Sequence, residues 1–342
     1  MAITVRATKS GPNNRPAVEI AFDPGTKLAT RDWTWTSGRS TRKLLKVETE
    51  IPSAPKLGVG LLFNRVLPSF VAEQPESFDY LEIIPDREWL DSGVNSTPRY
   101  SVLDKSLDFF RRIRDDKPLL CHAIGLSIGS AALFDTGHVE QIQRMHEELR
   151  FAWHSDHLSF ARLPVGDHEM HAAISLPLPY DEEVLNMLIA RSRHIRSIVE
   201  CPFLLENNVY YVNVLDHEMN EAQFLNRLSD ESGCGVLLDL HNVYVNSVNH
   251  GFTAESFLRD LNLSRVVELH IAGGDYLLNF YTDAHAGPVA EPVWGLLEDT
   301  LRSAPWIRAV TFEFHESSYY LLKSEGIRAQ LDRARKVWER FC

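Results

Sequence analysis

The segment GVLLDLHN, residues 235–242, starts as a continuous apolar run and ends in Asp239, His241 and Asn242. A short run of this kind reads as a strand covered on both faces, as in a parallel sheet. Working outward, the same texture recurs at GVGLLF (58), DYLEII (79), PLLCHAI (118), AWHSDHLSF (152), FLLEN (203), VVELHIA (266) and AVTFEFHE (309). Helical patterns fall between them: SVLDKSLDFFRRIRDD, HVEQIQRMHEELR, DEEVLNMLIARSRHIRSIVE, NEAQFLNRLSDES, AESFLRDL and EPVWGLLEDTLRSA. PYDEE places Asp181 as the N-cap of one helix, with acids in its first turn. The first crossover is a short helix around LPSFVAEQ. Eight strands separated mostly by helices predict an α/β fold, a (β/α)8 TIM barrel over residues 56–342. Residues 1–55 are broken by SGPNNRP, DPGTK and IPSAP. They predict an N-terminal arm or lid, with a hairpin formed by VEIAF and TRDWTWT.

Composition excludes several classes. The 342 residues are 44% hydrophobic and 24% charged, ordinary for one large folded domain. The net charge of −12 comes without a basic block, so no nucleic-acid partner is expected. No run of roughly 18 apolar residues is present, so no membrane span is expected. MAITVRATKSGPNNRPA lacks the apolar stretch of a secretory signal. Cys121, Cys201, Cys234 and Cys342 are scattered, without a CxxC pair, which fits a reducing cytoplasm.

In a (β/α)8 barrel the chemistry lies at the C-terminal strand ends. Those ends carry Cys121-His122, Asp156-His157, Glu206-Asn207-Asn208, Asp239-Leu240-His241-Asn242, Glu268-Leu269-His270 and Glu313-Phe314-His315; a loop adds Asp283-Ala284-His285. Acid-x-His recurs at 239/241, 268/270, 283/285 and 313/315. On an extended chain this spacing puts both side chains on one face. Burying such groups unpaired costs several kcal/mol each, and metal ions relieve that cost. Imidazole with carboxylate suits iron, manganese or zinc. The lack of a cysteine cluster argues against a structural zinc site or an iron–sulfur cluster. His154, Glu268 and His315 are expected to orient ligands rather than bind metal. His138, His146, His168, His194 and His217 are expected to be solvated, and Cys234 to be a small buried hydrophobe.

From Gly58 to about Tyr320 the chain resembles the multinuclear non-heme iron-dependent oxidative enzymes. The stretches that carry the resemblance are GVGLLFNR, DYLEIIPD, HAIGLSIGSA, SDHLSF, LPLPYDEE, LLENNVYY, GCGVLLDLHNVYVNSVNHGF, ELHIAGG, TDAHAGPV and TFEF. The resemblance implies a TIM barrel holding two or three irons, mixed Fe(II)/Fe(III), with dioxygen as cosubstrate. It implies a ribosomally made precursor peptide as substrate, often modified at cysteine, and a small partner protein that captures the leader. His122 in HAIG and His157 in SDHL match ligand histidines, with Asp156 near His157. Glu206 in LLEN matches a carboxylate bridging two irons. Asp239, His270 and Glu313 match the next group, and Asp283 and His285 a pair near a third metal. Glu206, Asp239 and His157 are the expected catalytic residues. Asn207, Asn208, Tyr210 and Asn242 are expected to orient ligands or substrate.

The chain departs from the family pattern at three places. His241 stands in LLDLHN where LLDVNN is common, which makes it a candidate ligand. Gly274 and Asp275 follow HIAG where a histidine is frequent. Glu313-Phe314-His315 replaces the usual EWD. Two other classes fit the residues: a divalent-metal sugar isomerase or endonuclease on the same barrel, and a metal-dependent peptide-binding scaffold.

Overall fold

The computed structural model describes residues 3–9, 16–22, 54–165, 168–214 and 217–342. Eight parallel strands close into a barrel: β1 Gly58–Leu62, β2 Tyr80–Ile83, β3 Leu119–Ala123, β4 His154–His157, β5 Phe203–Glu206, β6 Gly235–Asp239, β7 Val266–Ala272 and β8 Ala309–Glu313. β8 pairs back onto β1, so the sheet has no open edge. Each run expected to be a strand contributes one of these.

The helices pack outside. They are α1 Pro68–Glu73, α2 Asp104–Asp116, α3 Thr136–Leu149, α4 Glu182–Ile198, α5 Glu221–Ser232, α6 Leu240–His250, α7 Ala254–Asp260, α8 Glu291–Ser303 and α9 Tyr319–Phe341. Asp181 caps α4 as expected, accepting the Val184 N–H at 2.8 Å. α6 and α9 were not expected. No helix among the described residues is long and apolar enough to cross a membrane.

Strand alternation divides the barrel into layers. Outward residues such as Val59, Leu81, Cys121, Leu205, Leu238, Leu269 and Phe312 join the large core shared with the helices. Inside, Tyr80, Leu120, Trp153, Leu204, Leu237, Val267 and Ala309 form a second buried cluster with Ala54. This apolar layer plugs the N-terminal end. Two residues further along β2, β3, β5 and β6 stand Glu82, His122, Glu206 and Asp239, all buried. The period of two thus lays a polar layer directly on the apolar one.

The arm differs from its expected form. VEIAF lies in the strand Pro16–Phe22, but that strand pairs antiparallel with Ile3–Lys9, upstream of it. TRDWTWT lies outside the described residues. Asn213–Val214, after β5, pairs parallel with Glu19–Ile20. Two short hairpins stand over the barrel mouth: Phe160–Val165 with His168–Leu176, and Asp275–Leu277 with Phe280–Thr282.

Candidate metal centre

The polar layer converges on four groups of facing ligand atoms: His122/His157/Glu206, Glu206/Asp239/His270, Asp239/His285/Glu313 and Glu82/His270/Glu313. His122 and His157 turn Nε2 toward each other at 3.1 Å. Glu206 Oε2 lies 3.5 Å from the first and 3.1 Å from the second. Its other oxygen, Oε1, faces His270 Nδ1 at 3.8 Å. His270 Nδ1 also touches Glu313 Oε1. Glu313 Oε2 reaches His285 Nε2 at 3.1 Å, and Asp283 Oδ1 meets the same nitrogen at 2.9 Å. Among the described residues, the nitrogen groups that face these carboxylates are histidines.

Burial shapes the electrostatics. It pushes His122 and His157 below the ordinary imidazole range, which leaves their rings neutral with lone pairs to offer. Burial, then Glu313 and Asp283, push Asp239 up to about 7. Burial pushes Glu206 up as well. Burial opposes charge on His285, but Asp283 and Glu313 overcome it and raise the ring to about 10. Glu313 is likewise opposed by burial and yet held below the carboxylate range by His270 and His285. Among the described residues, several buried atoms lack a hydrogen-bond partner of good geometry: Glu206 Oε2, Asp283 Oδ1, His285 Nε2, Glu313 Oε1 and both nitrogens of His241 and His270. Such orphaned donors and acceptors are costly in a dry interior. Their chemistry, imidazole nitrogen with carboxylate oxygen, fits divalent or trivalent transition metals. The residues present therefore fit the metals that the sequence resemblance implies.

Supporting contacts fix these side chains. Ser155 Oγ lies 2.8 Å from His122 Nδ1, which settles how that ring is turned. Asn207 clamps the end of β6: its Oδ1 accepts the Asp239 N–H at 2.8 Å and its Nδ2 donates to the Asp239 carbonyl at 3.0 Å. Asn242 Nδ2 donates to the Asn207 carbonyl at 3.1 Å. The centre opens into a cavity of about 380 Å³, with Leu62, Phe63, Ile84, Ile124 and Ile174 around its collar and Asn208, Tyr211 and Asn242 in its wall.

A sequence model of the family described as "RiPP precursor modification enzyme MbnB/TglH/ChrH" matches residues 56–337. The chain belongs to this family. The match begins where the barrel begins. Among similar sequences, a UPF0276 protein of Shewanella loihica is 32% identical over 243 residues, covering 71% of this chain and 81% of that protein. A UPF0276 protein of Neisseria meningitidis serogroup C is 35% identical over 207 residues, covering 60% and 72%. Two solved structures are similar in fold. D-psicose 3-epimerase from Clostridium cellulolyticum H10 has a TM-score of 0.55 at 13% identity, covering 82% of this chain and 99% of that one. The 3-keto-D-glucoside 4-epimerase of E. coli has a TM-score of 0.52 at 15% identity, covering 84% and 100%. The fold is the xylose-isomerase-like TIM barrel, and the family is one of enzymes.

Within that frame some expected residues fall elsewhere. Asp239 ends β6 and caps α6, accepting the Asn242 N–H at 2.8 Å. Leu240 and His241 are therefore helical, and the 239/241 pair does not share a strand face. His241 is nonetheless fully buried, with Nε2 3.6 Å from Asp283 Oδ1. His315 is exposed at the wall of the same cavity and caps a short turn through Ser317, its ring binding none of the ligand groups. His154 alternates outward, stacks on Phe203 at 4.7 Å and orients no ligand. Asp156 also alternates away from His157; its carboxylate meets the backbone N–H groups of Leu126 and His157. Tyr210 stacks on His250 and lines a separate cleft, while the neighbouring Tyr211 takes the mouth position and accepts the Asp283 N–H at 2.9 Å. His138, expected in solvent, is buried 3.3 Å from Asp86. His194 and His217 are exposed and Cys234 is buried, as expected. Glu82 and Ser155 were missed. Glu82 carried a signal, since a carboxylate inside the apolar run YLEII has no reason to be there without a buried partner.

Proposed function

We propose that this chain is a multinuclear non-heme iron enzyme that uses dioxygen to oxidise a ribosomally made precursor peptide. Glu206 carries the reading. One carboxylate is shared between two donor groups, with His122 and His157 on one side and Asp239 and His270 on the other. Two or three irons, in mixed Fe(II)/Fe(III) states, supply one-electron chemistry toward dioxygen and Lewis-acid binding of a substrate thiolate or carboxylate. His122, His157 and Glu206 hold one ion. Glu206, Asp239 and His270 hold the second. Asp239, Asp283, His285 and Glu313 hold a third, with His241 beside it. Asn207 and Asn242 keep Asp239 in place. The apolar collar excludes bulk water around a substrate side chain, and Asn208 and Tyr211 are placed to orient it. A small partner protein presents the peptide leader. The reaction belongs to the cytoplasm, where the substrate peptide is made.

The test is anaerobic purification, metal analysis, and incubation of a precursor peptide encoded beside this gene with and without dioxygen. At least two irons per chain and a dioxygen-dependent mass change are expected. One zinc per chain with activity retained would sink the reading.

His241→Asn separates the third position from the others. The variant is expected to keep the ions around Glu206 and to lose metal beside Asp283 or change the product. Unchanged metal content and product mass would remove His241 from the donor set.

A further inference from the structure

We infer that Glu82 is a positioning residue for this centre: its carboxylate stands close against His270 Nε2, where in the loaded centre it would take that N–H and so leave the lone pair on Nδ1 turned toward Glu206 and Asp239. The inference rests on the metal reading proposed above. Glu82 stands on the inward face of β2, one layer above Tyr80, and both it and His270 are completely buried. Glu82 Oε2 lies 2.9 Å from His270 Nε2. Across the ring, Nδ1 touches Glu313 Oε1 and faces Glu206 Oε1 at 3.8 Å. A neutral imidazole has one N–H and one lone pair, so an acceptor at Nε2 commits Nδ1 to bind metal.

Glu268 is the competing acceptor, two residues from His270 on the same strand. Its Oε1 lies 3.6 Å from Nε2. Both its oxygens are already engaged, however. Trp153 Nε1 donates to Oε2 at 2.7 Å, and Thr311 Oγ1 donates to Oε1 at 2.7 Å. Thr311 is in turn 2.7 Å from the Tyr80 hydroxyl. Glu268 is therefore tied into the layer below, where it braces the barrel. Among the described residues the Glu82 oxygens have no such partners. The free acceptor is the closer one, and it comes from a different strand, with β8 and β1 between, so it fixes both the tautomer and the tilt of the ring.

Glu82→Gln keeps an acceptor oxygen at the same reach but weakens it; Glu82→Leu removes it and leaves an apolar group of similar size. Both variants are loaded anaerobically with ferrous iron beside the wild type. Metal content, Mössbauer spectra and circular dichroism are then compared. Glu82→Gln is expected to match the wild type in iron content with a shifted spectrum for one iron. Glu82→Leu is expected to bind that iron about 10- to 100-fold more weakly while the ion of His122 and His157 stays. Equal iron content and spectra in all three proteins overturn the assignment. Equal loss in both variants also overturns it, because Glu82 is then itself a ligand. If Glu82→Leu does not fold, an unchanged spectrum in loaded Glu82→Gln still overturns it. A wild type that takes up no metal overturns the underlying reading instead, which keeps the two failures apart.

Discussion

Glu206→Gln is expected to fold normally, lose iron and have no measurable turnover. The carboxylate is 3% exposed and stands between two donor groups, with Oε2 toward His122 and His157 and Oε1 toward His270. Glutamine has nearly the same volume, so the barrel packing is kept. It has no negative charge, and its nitrogen offers no lone pair to a metal. One half of the shared position is therefore removed outright, and the other is weakened. Changing groups that merely support a ligand costs about 10- to 100-fold in metal affinity, so losing a shared ligand costs more. The free protein is not expected to suffer, because a neutral amide suits a buried site better than an unpaired carboxylate does. Thermal unfolding separates these effects. Metal at about a thousand times its Kd stabilises by about 4 kcal/mol, roughly 6 °C for a chain of this size. The wild type should show that rise on loading and the variant should not, while their metal-free Tm values agree. A variant with the full rise and normal turnover would remove Glu206 from the shared position.

How much of this was legible in the sequence follows from burial. Strands covered on both faces must be apolar throughout, so each barrel strand announces itself as a run, and a polar residue at its end marks the mouth. Register is harder to read. Asp239 looks like a strand residue followed by two more, yet its side chain caps the next helix one residue later. Val243 and Val245 in that helix mimic strand composition and hide the switch. Tyr210 and Tyr211 are adjacent and similar, and only the path of the loop after β5 decides which one faces the mouth. Ser155 is invisible because a serine beside a histidine has many ordinary uses. Two of the departures from the family pattern turn out to be neighbours in space. A Cβ on Gly274 would lie 2.9 Å from His241 Cε1. The imidazole that this chain gains at 241 thus fills the space beside the side chain it lacks at 274.

Gly273→Ala, a change of one methyl group just beyond β7, is expected to disable the third metal position. Asp283 and His285 sit in a loop that returns across the end of β7, held by the Ala286 N–H bonded to the Gly273 carbonyl at 2.7 Å. A Cβ on Gly273 would lie 2.3 Å from the Pro288 carbonyl oxygen and 2.5 Å from that of Ala286. Both are well inside the roughly 3.5 Å of a favourable non-bonded contact, and both belong to backbone, which cannot rotate away. The loop must therefore lift by about 1 Å. His285 already holds a left-handed φ of 46°, a narrow region for a residue with a side chain, so it has little torsional freedom to absorb the shift. His285 Nε2 would lose its 2.9 Å and 3.1 Å approaches to Asp283 and Glu313. Metal ligation tolerates about 0.2 Å, and a misplacement of about 1 Å at a reacting group costs on the order of a hundredfold in rate. Stability should fall by only about 1–3 kcal/mol, the usual cost of overpacking. Gly295→Ala is the control: it lies within α8 with nothing within 4 Å of the added carbon, and alanine there should leave activity intact and stabilise the helix slightly. Metal analysis and turnover on the two variants check the argument. Equal iron content and equal rates in Gly273→Ala and the control would show that the loop over β7 does not set the geometry of Asp283 and His285.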